Sequence, residues 1–471
     1  MIARAAAVCV LATVLCGCAT GPLEPRYKTP APPVPAQFPS GPAYADQPTD
    51  ARAADWRTVF PGAKLQRVIA LALSQSRDLR VAVEQAQAAR AQFRSQRAAL
   101  LPQIDANASP AFAREFTGEP PQYGPPYEKV TEYSADVAVT SWELDLFGRI
   151  RSLTKAALEQ YLATDAARRS VEITLVANVA TYWLTLASDE SLLEVSRTTL
   201  RSGQESLALA QQRLTGGVGT ALDVANAQTV VQQARADIGR YTTQVAQDLN
   251  VLELTVGAKV PADLLPSSLA DPDAALPVVP GALGSAVLLR RPDVVEAEHQ
   301  LRAANADIGA ARAAFFPQIA LTAQGGSATA TLATLFAPGT AVWQFAPTIT
   351  VPIFHGGANQ AGLAYARAED RLAVAQYEKA VQTAFRETAD ALADRGTIAE
   401  RLSAQEGLVA AAAESLRLST ALYARGSGSY LDVLTAQRTL YAAQQTLVST
   451  QLIAANNIVT LYKVLGGGLA S

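Results

Sequence analysis

The sequence predicts an α+β membrane protein: a transmembrane sheet of four strands per chain, closed only by further copies of the chain and joined to long helical hairpins. Three observations predict it. The chain is an internal tandem duplication. Each copy holds a pair of alternating apolar–polar runs of roughly ten residues, the length that crosses a bilayer when tilted. Each copy then continues into a long proline-free arm.

The duplication is read from blocks that recur in one order. "QRAALLPQID" at 96–105 returns as "ARAAFFPQIA" at 311–320, an offset of 215 that also pairs Asp78 with Asp293, Ala82 with Ala297 and Arg97 with Arg312. Further on, "LDV" at 222–224 returns at 431–433, an offset of 209, and "ESLALA" at 205–210 answers "ESLRLS" at 414–419. Gly257 then falls on Gly466. Separated blocks at nearly constant offset identify two copies of one unit.

In chain order, the first element is a secretion signal over 1–17, with Arg4 ahead of the apolar stretch from Ala5 to Leu15. That stretch is too short for a stable bilayer-spanning helix. Residues 18–60 form a Pro-rich leash leading into the body. The first repeat spans 61–260, an irregular connector 261–290, and the second repeat 291–471.

Each repeat opens with an Ala-rich helical segment, 77–101 or 292–316, stopped by Pro102 or Pro317. The period then drops to two. Ile104, Ala106 and Ala108 alternate with Asp105, Asn107 and Ser109, and Tyr133, Ala135, Val137 and Val139 alternate with Ser134, Asp136 and Thr140. In the second repeat Ile319, Leu321 and Ala323 form the first run, and Trp343, Phe345, Pro347, Ile349 and Val351 the second. Gly/Pro-rich or Gly/Ser/Thr-rich segments separate the members of each pair.

None of the 26 prolines lies between Pro126 and Pro261 or after Pro352. A helix from about Ile150 to Leu214 would run roughly 100 Å. Only glycine clusters interrupt these arms: "TGGVGT" at 215–220, with Gly216, Gly217 and Gly219, and "RGSGS" at 425–429, with Gly426 and Gly428. They turn each arm back into a second helix. Beyond each turn, Thr220-x-x-Asp223 and Ser429-x-x-Asp432 have the spacing of a helix-capping box.

Composition narrows the function classes. A net charge of −3, or −4 once Arg4 is removed with the signal, supplies no basic stripe for nucleic acid. The three cysteines, Cys9, Cys16 and Cys18, all lie at the front, so no disulfide staples the body. His299 and His355 lack ligand-spaced partners, and no metal or cofactor is expected. "TGGVGT" lacks the Lys-Ser/Thr ending of a phosphate loop. Acids such as Asp189 and Glu190 read as solvated faces, and Phe147-Gly148 and Phe354 as packing residues at strand-to-helix joints. Nothing surrounds a nucleophile or base, so no enzyme is expected.

Four strands fall short of the roughly eight that the smallest closed barrels need. An open edge in hydrocarbon leaves backbone groups unsatisfied at several kcal/mol each. Other copies must complete the wall, in an oligomer of two, three or more subunits.

"SWELDLFGRIR" at 141–151, "RRPDVVEAEHQLRAANADIGAARAAFFPQI" at 290–319, "VPIFHGG" at 351–357 and "SYLDVLTAQRTLY" at 429–441 resemble the TolC-type outer-membrane efflux family, in its lipoprotein branch of OprM/NodT type. "LCGC" at 15–18 resembles a lipobox, in which Cys18 receives a diacylglyceryl group and Ala19 permits passage to the outer membrane. The resemblance implies a homotrimer with a twelve-strand transmembrane β-barrel, a long α-helical barrel across the periplasm and a mixed equatorial belt. It implies a passive exit duct for drugs or other small toxic compounds. A periplasmic adaptor and a proton-driven inner-membrane pump would dock at the helical tips.

The resemblance also places Asp432 at the periplasmic aperture, where three carboxylates near a threefold axis would repel anions. Capping explains Asp432 equally well, and the two roles coexist; Asp223 reads mainly as a cap. The family often carries a second acid a turn later, where this chain has Thr435. Two other readings stay open: a type I protein-secretion duct, and, from a different class, a periplasmic adaptor or scaffold lipoprotein. The duplicated strand pairs count against the adaptor, which has one main helical hairpin.

Overall fold

The computed structural model describes residues 22–44, 55–116, 127–274, 276 and 284–467. The signal, Cys18 and the 117–126 connection lie outside them. In chain order the elements are α1 (Trp56–Val59), α2 (Ala63–Gln75), α3 (Arg77–Ala98), β1 (Ile104–Phe116), β2 (Tyr127–Glu143), α4 (Arg149–Thr215) and α5 (Ala221–Val256). After short 3₁₀ turns follow α6 (Pro292–Ala313), β3 (Gln318–Thr329), β4 (Ala341–Thr350), α7 (Ala358–Ala424) and α8 (Tyr430–Val464).

Proline sets where α3 and α6 stop. A proline ring collides with the carbonyl four residues back, and the helices end at Ala98 and Ala313, four before Pro102 and Pro317. The chain then tightens by one turn. Leu101 N–H bonds Ala98 O at 2.9 Å, and Phe316 N–H bonds Ala313 O at 3.0 Å. Strands begin directly beyond, at Ile104 and Gln318.

The four strands form one antiparallel sheet in the order β1-β2-β3-β4, so the hairpins of the two repeats join at β2–β3. The strands are 13, 17, 12 and 10 residues long, most of them longer than the alternation suggested. Gly325 and Gly326, read as loop from their composition, lie inside β3. Gly326 is required there: a Cβ at this position would overlap the Ala135 carbonyl and approach Asp136 Cα to 2.5 Å.

Register sorts the side chains onto two faces. One face carries Ile104/Val139/Ala323/Phe345, then Ala106/Val137/Gly325/Trp343, then Ala108/Ala135/Ser327. The other carries Asp105/Ala138/Gln324/Gln344, then Asn107/Asp136/Gly326/Val342, then Ser109/Ser134/Ala328. Polar pairs bond across it: Gln324–Gln344 at 3.0 Å and Asn107–Asp136 at 3.3 Å. A β-bulge between Val139 and Trp142 contains Ser141, whose φ of 53° is the one positive value at a non-glycine among the described residues. The inserted residue flips the alternation and sets Trp142 opposite Leu321 on the apolar face.

Residues 22–30, 86–164 and 297–377 form one compact unit, which contains the sheet. Within it, residues 23–29 are held to α4 and α6. Lys155 Nζ pairs with Glu24 at 2.6 Å, Arg312 donates to Leu23 O at 3.0 Å, and Thr29 bonds Glu298 at 3.3 Å.

The second unit, 31–85, 165–296 and 378–467, is helical, and each unit draws on both repeats. Its core joins Leu65, Val68 and Ile69 of α2 to Val176, Val179, Trp183 and Leu184 of α4, Leu252 and Val256 of α5, and Val459 of α8. Trp183 Nε1 donates to Leu264 O at 2.9 Å, satisfying the one polar atom of that buried indole. By length and composition α4 could cross a bilayer, yet half of its most apolar stretch is buried against the rest of the chain, as in a core helix.

Arg291 (side chain 8% exposed) joins Asp293 at 2.7 Å, Glu387 at 2.8 Å and the Val464 carbonyl at 3.1 Å, tying α6, α7 and α8. Arg291→Ala is expected to cost about 3 kcal/mol, the low end for a broken buried pair because both acids are partly exposed. A thermal melt of the variant checks this.

Candidate functional site: the helical tips and the polar face of the sheet

The two helical turns use one hydrogen-bond scheme. After α4, Gly217 adopts φ 73°, and the N–H groups of Val218 and Gly219 bond the Arg213 carbonyl at 2.9 and 3.0 Å. After α7, Gly426 adopts φ 79°, and Ser427 and Gly428 bond the Leu422 carbonyl at 3.0 and 3.1 Å. Both are left-handed helix stops of Schellman type. Gly219 and Gly428 are needed for space: a Cβ would meet Leu214 N or Leu422 Cβ at 2.9 Å. Gly216 is under neither constraint, and the second repeat has Arg425 in its place.

The caps of the returning helices differ. Thr220 and Asp223 form a complete box, with Asp223 N–H on Thr220 Oγ1 and Thr220 N–H on Asp223 Oδ2, both at 3.1 Å. At α8, Asp432 N–H bonds Ser429 Oγ at 3.3 Å, but the Asp432 carboxylate accepts from the Ser429 hydroxyl at 2.9 Å instead of from a backbone N–H. Asp432 and Thr435 are both exposed. Asp432 therefore keeps one carboxylate oxygen with no protein partner among the described residues.

Between the turns lies a cluster that sequence reasoning missed. Arg213 donates to Tyr423 O at 3.0 Å, and its guanidinium sits over the Tyr423 ring at 4.6 Å. Tyr423 packs edge-on against Tyr430 at 5.3 Å, beside Ala210, Ala227, Val433 and Leu434. Burial pushes the Tyr430 phenol up to about 12. Farther along, Gln437 bonds Ser206 at 2.7 Å and Tyr441 bonds Asp237 at 2.9 Å. These residues brace one helical hairpin against the other. The repeat gave no sign of them, because at the offset of 209 Arg213, Tyr423 and Tyr430 fall on Leu422, Leu214 and Ala221.

Asp189, read as part of a solvated face, is half-buried. Its carboxyl lies beside that of Asp248 of α5, and burial followed by this neighbouring carboxyl pushes Asp248 up to about 7 from an ordinary 3.8. From about pH 4 to about pH 7 the folded chain then binds more protons than the unfolded one, so stability falls as pH rises through that window. Asp248→Asn is expected to flatten that part of the melting-temperature profile; an unchanged slope would remove the pair from the account.

Phe147 stacks on Phe316 at 4.7 Å where strands meet helices. Phe354, read as a packing residue, is instead 86% exposed. His299 pairs with Glu159 at 2.6 Å, and no group of three or more His, Cys, Asp or Glu side chains converges among the described residues.

The sheet's polar face carries Asp105, Glu115, Glu128, Glu132 and Asp136, with no Lys or Arg from any strand among the described residues. A barrel wall with one apolar and one charged, hydrated face is what a transmembrane pore requires. The outer strands β1 and β4 each keep one unpaired edge within the chain.

Known proteins share this arrangement. A family model described as outer membrane efflux protein matches residues 68–258 and 283–467. The chain is 45% identical over 467 residues to the toluene efflux pump outer membrane protein TtgC of Pseudomonas putida, covering 98% of this chain and 94% of that protein. It is 38% identical to the cation efflux system protein CusC of Escherichia coli O157:H7, over 97% of both chains. Among solved structures, the open state of the MtrE outer membrane channel of Neisseria gonorrhoeae superposes with a TM-score of 0.85 at 35% identity, covering 95% of this chain and 98% of that one. A membrane protein from Pseudomonas aeruginosa gives 0.86 at 38% identity, with coverage of 95% and 98%. The two-faced sheet, the paired helical turns and a match running through both repeats lead to one conclusion: the chain belongs to the outer membrane efflux protein family.

Proposed function

We infer that this outer-membrane efflux protein is the passive exit duct of a tripartite export system and works as a homotrimer. The observation that carries the reading is the two-faced sheet with both edges open. Three copies of a four-stranded sheet, β4 of one chain pairing with β1 of the next, supply twelve strands and leave no edge in lipid. The helical tips at Gly216, Gly217, Gly219, Gly426 and Gly428 present the surface for a periplasmic adaptor, and a proton-driven inner-membrane pump supplies the energy. Cys18 carries the lipid anchor. The cargo is small and toxic, in the class of the toluene, solvents and antibiotics for which similar efflux pump outer membrane proteins of Pseudomonas putida are named.

Asp432 stands at the periplasmic mouth in this reading, its free carboxylate oxygen facing its two symmetry mates. Asp432→Ala is expected to raise single-channel conductance in planar bilayers and to weaken its dependence on divalent cations. Ser429→Ala, which removes the cap at about 1 kcal/mol but keeps the charge, should leave both unchanged. If the two variants behave alike, Asp432 is a cap and nothing more. The duct itself is tested by deleting the gene and measuring accumulation of solvents, dyes and antibiotics. Retention of the parental accumulation for the whole panel would reject small-molecule export.

A further inference from the structure

The apolar face of the sheet ends in a basic pair. From Ile104 to Phe112 it carries no charge on β1 over nine residues, about 27 Å along the strand, or roughly 20 Å of height once the strand is tilted, most of a lipid-facing band of about 25 Å. Phe112 meets the Tyr133 ring edge-on at 6.1 Å and closes the band with aromatic rings. The next residues on the same face are Arg114 and Lys129, directly opposite each other in the β1–β2 register, followed by Phe116 opposite Tyr127. This part of the hairpin projects past the second hairpin, because β2 last pairs with β3 at Tyr133–Thr329.

Two like charges directly across a ladder repel each other and destabilise it. Here the cost is not relieved within the chain. Both side chains are exposed, and among the described residues neither has an ion pair. Among the described residues, the nearest carboxylates of this hairpin, Glu115, Glu128 and Glu132, lie on the opposite face. Arg114 is held only by its position over the Tyr127 ring, 4.7 Å from the centroid, which leaves its N–H groups without acceptors among those residues.

A cationic pair bordered by aromatic rings, one step beyond an apolar band, lies at the headgroup level of a membrane. The helices leave from the other end of the strands, so this end faces the outer leaflet. We propose that Arg114 and Lys129 bind the phosphate groups of a phosphorylated outer-leaflet glycolipid, with Phe112, Phe116 and Tyr127 lying against its acyl and sugar portions. Arginine and lysine side by side match a phosphate that needs both a forked donor and a point charge. The assignment rests on the apolar face being the lipid-facing face of the duct.

Native mass spectrometry of the detergent-solubilised full-length protein tests it, with lipid A, dephosphorylated lipid A and phosphatidylglycerol as probes. The wild type is expected to bind lipid A at least tenfold more tightly than either of the others. Arg114→Ser/Lys129→Ser should lose that preference. Lys129→Glu is the sharper variant, because it gives Arg114 an opposite charge across the ladder: the hairpin gains stability while lipid A binding disappears. Equal binding of the three lipids by the wild type, or a preference unchanged in Lys129→Glu, overturns the proposal. Heat-modifiable migration of the same samples reports the barrel independently. A wild type without it sinks the reading of the sheet, whereas a barrel indifferent to lipid A sinks only this site.

Discussion

Gly326→Val is expected to abolish the assembled barrel, while Gly325→Val, one residue earlier, leaves it intact. The two glycines are neighbours in β3 and point to opposite faces. At Gly325 nothing lies within 4 Å of an added Cβ; at Gly326 the Ala135 carbonyl and the Asp136 backbone already occupy the space. Those atoms belong to β2, whose pairing with β3 joins the two repeats across the sheet. A valine there must push β2 and β3 apart, and each ladder bond lost in hydrocarbon leaves groups unsatisfied at several kcal/mol. No side-chain repacking removes a collision between a Cβ and the neighbouring main chain. The measurement is heat-modifiable trimer in outer-membrane fractions, with Gly325→Val as the matched control. A normal trimer from Gly326→Val would mean that β2 and β3 do not pair as described.

Much of this fold was legible because its strongest signals are local. Pro102 and Pro317 stop their helices through a collision with a defined carbonyl, and that rule needs no tertiary information. The alternation around Ile104 and Val137 states both strand and faces at once. The duplication then made each signal visible twice. What escaped depends on distant chain segments or on differences between the copies. Gly325 and Gly326 look like loop residues until β2 is set beside them, since composition alone does not reveal a close approach of two backbones. The bulge at Ser141 carries no glycine to mark it. Asp189 and Asp248 are 59 residues apart, and only the return of α5 along α4 brings the carboxyls together.

At the tips, glycine spacing was visible but not the distinct tasks of its members. Gly217 and Gly426 supply a left-handed residue, Gly219 and Gly428 supply room, and Gly216 supplies neither. The Arg213–Tyr423–Tyr430 brace was invisible because it has no counterpart within the chain. It joins the two copies to each other through residues in which they differ.

The largest functional effect is expected from the polar face of the sheet. Asp105, Glu115, Glu128, Glu132 and Asp136 face one way with no strand Lys or Arg among them, and in a trimer each appears three times around one lumen. Carboxylates so crowded raise the local concentration of cations and exclude anions, an effect that weakens as salt shortens the Debye length to roughly 10 Å at 0.1 M. Replacing the five by Asn or Gln keeps the hydrogen-bonding shape and removes the charge. Reversal potentials across a salt gradient are expected to move from cation preference to near neutrality, most strongly at low ionic strength. Asp432→Ala perturbs a different place, so its effect on conductance should add to this shift instead of replacing it. If the five-fold variant keeps the full cation preference and Asp432→Ala alone abolishes it, selectivity resides wholly at the periplasmic mouth. The acidic face would then be no more than a hydrated lining.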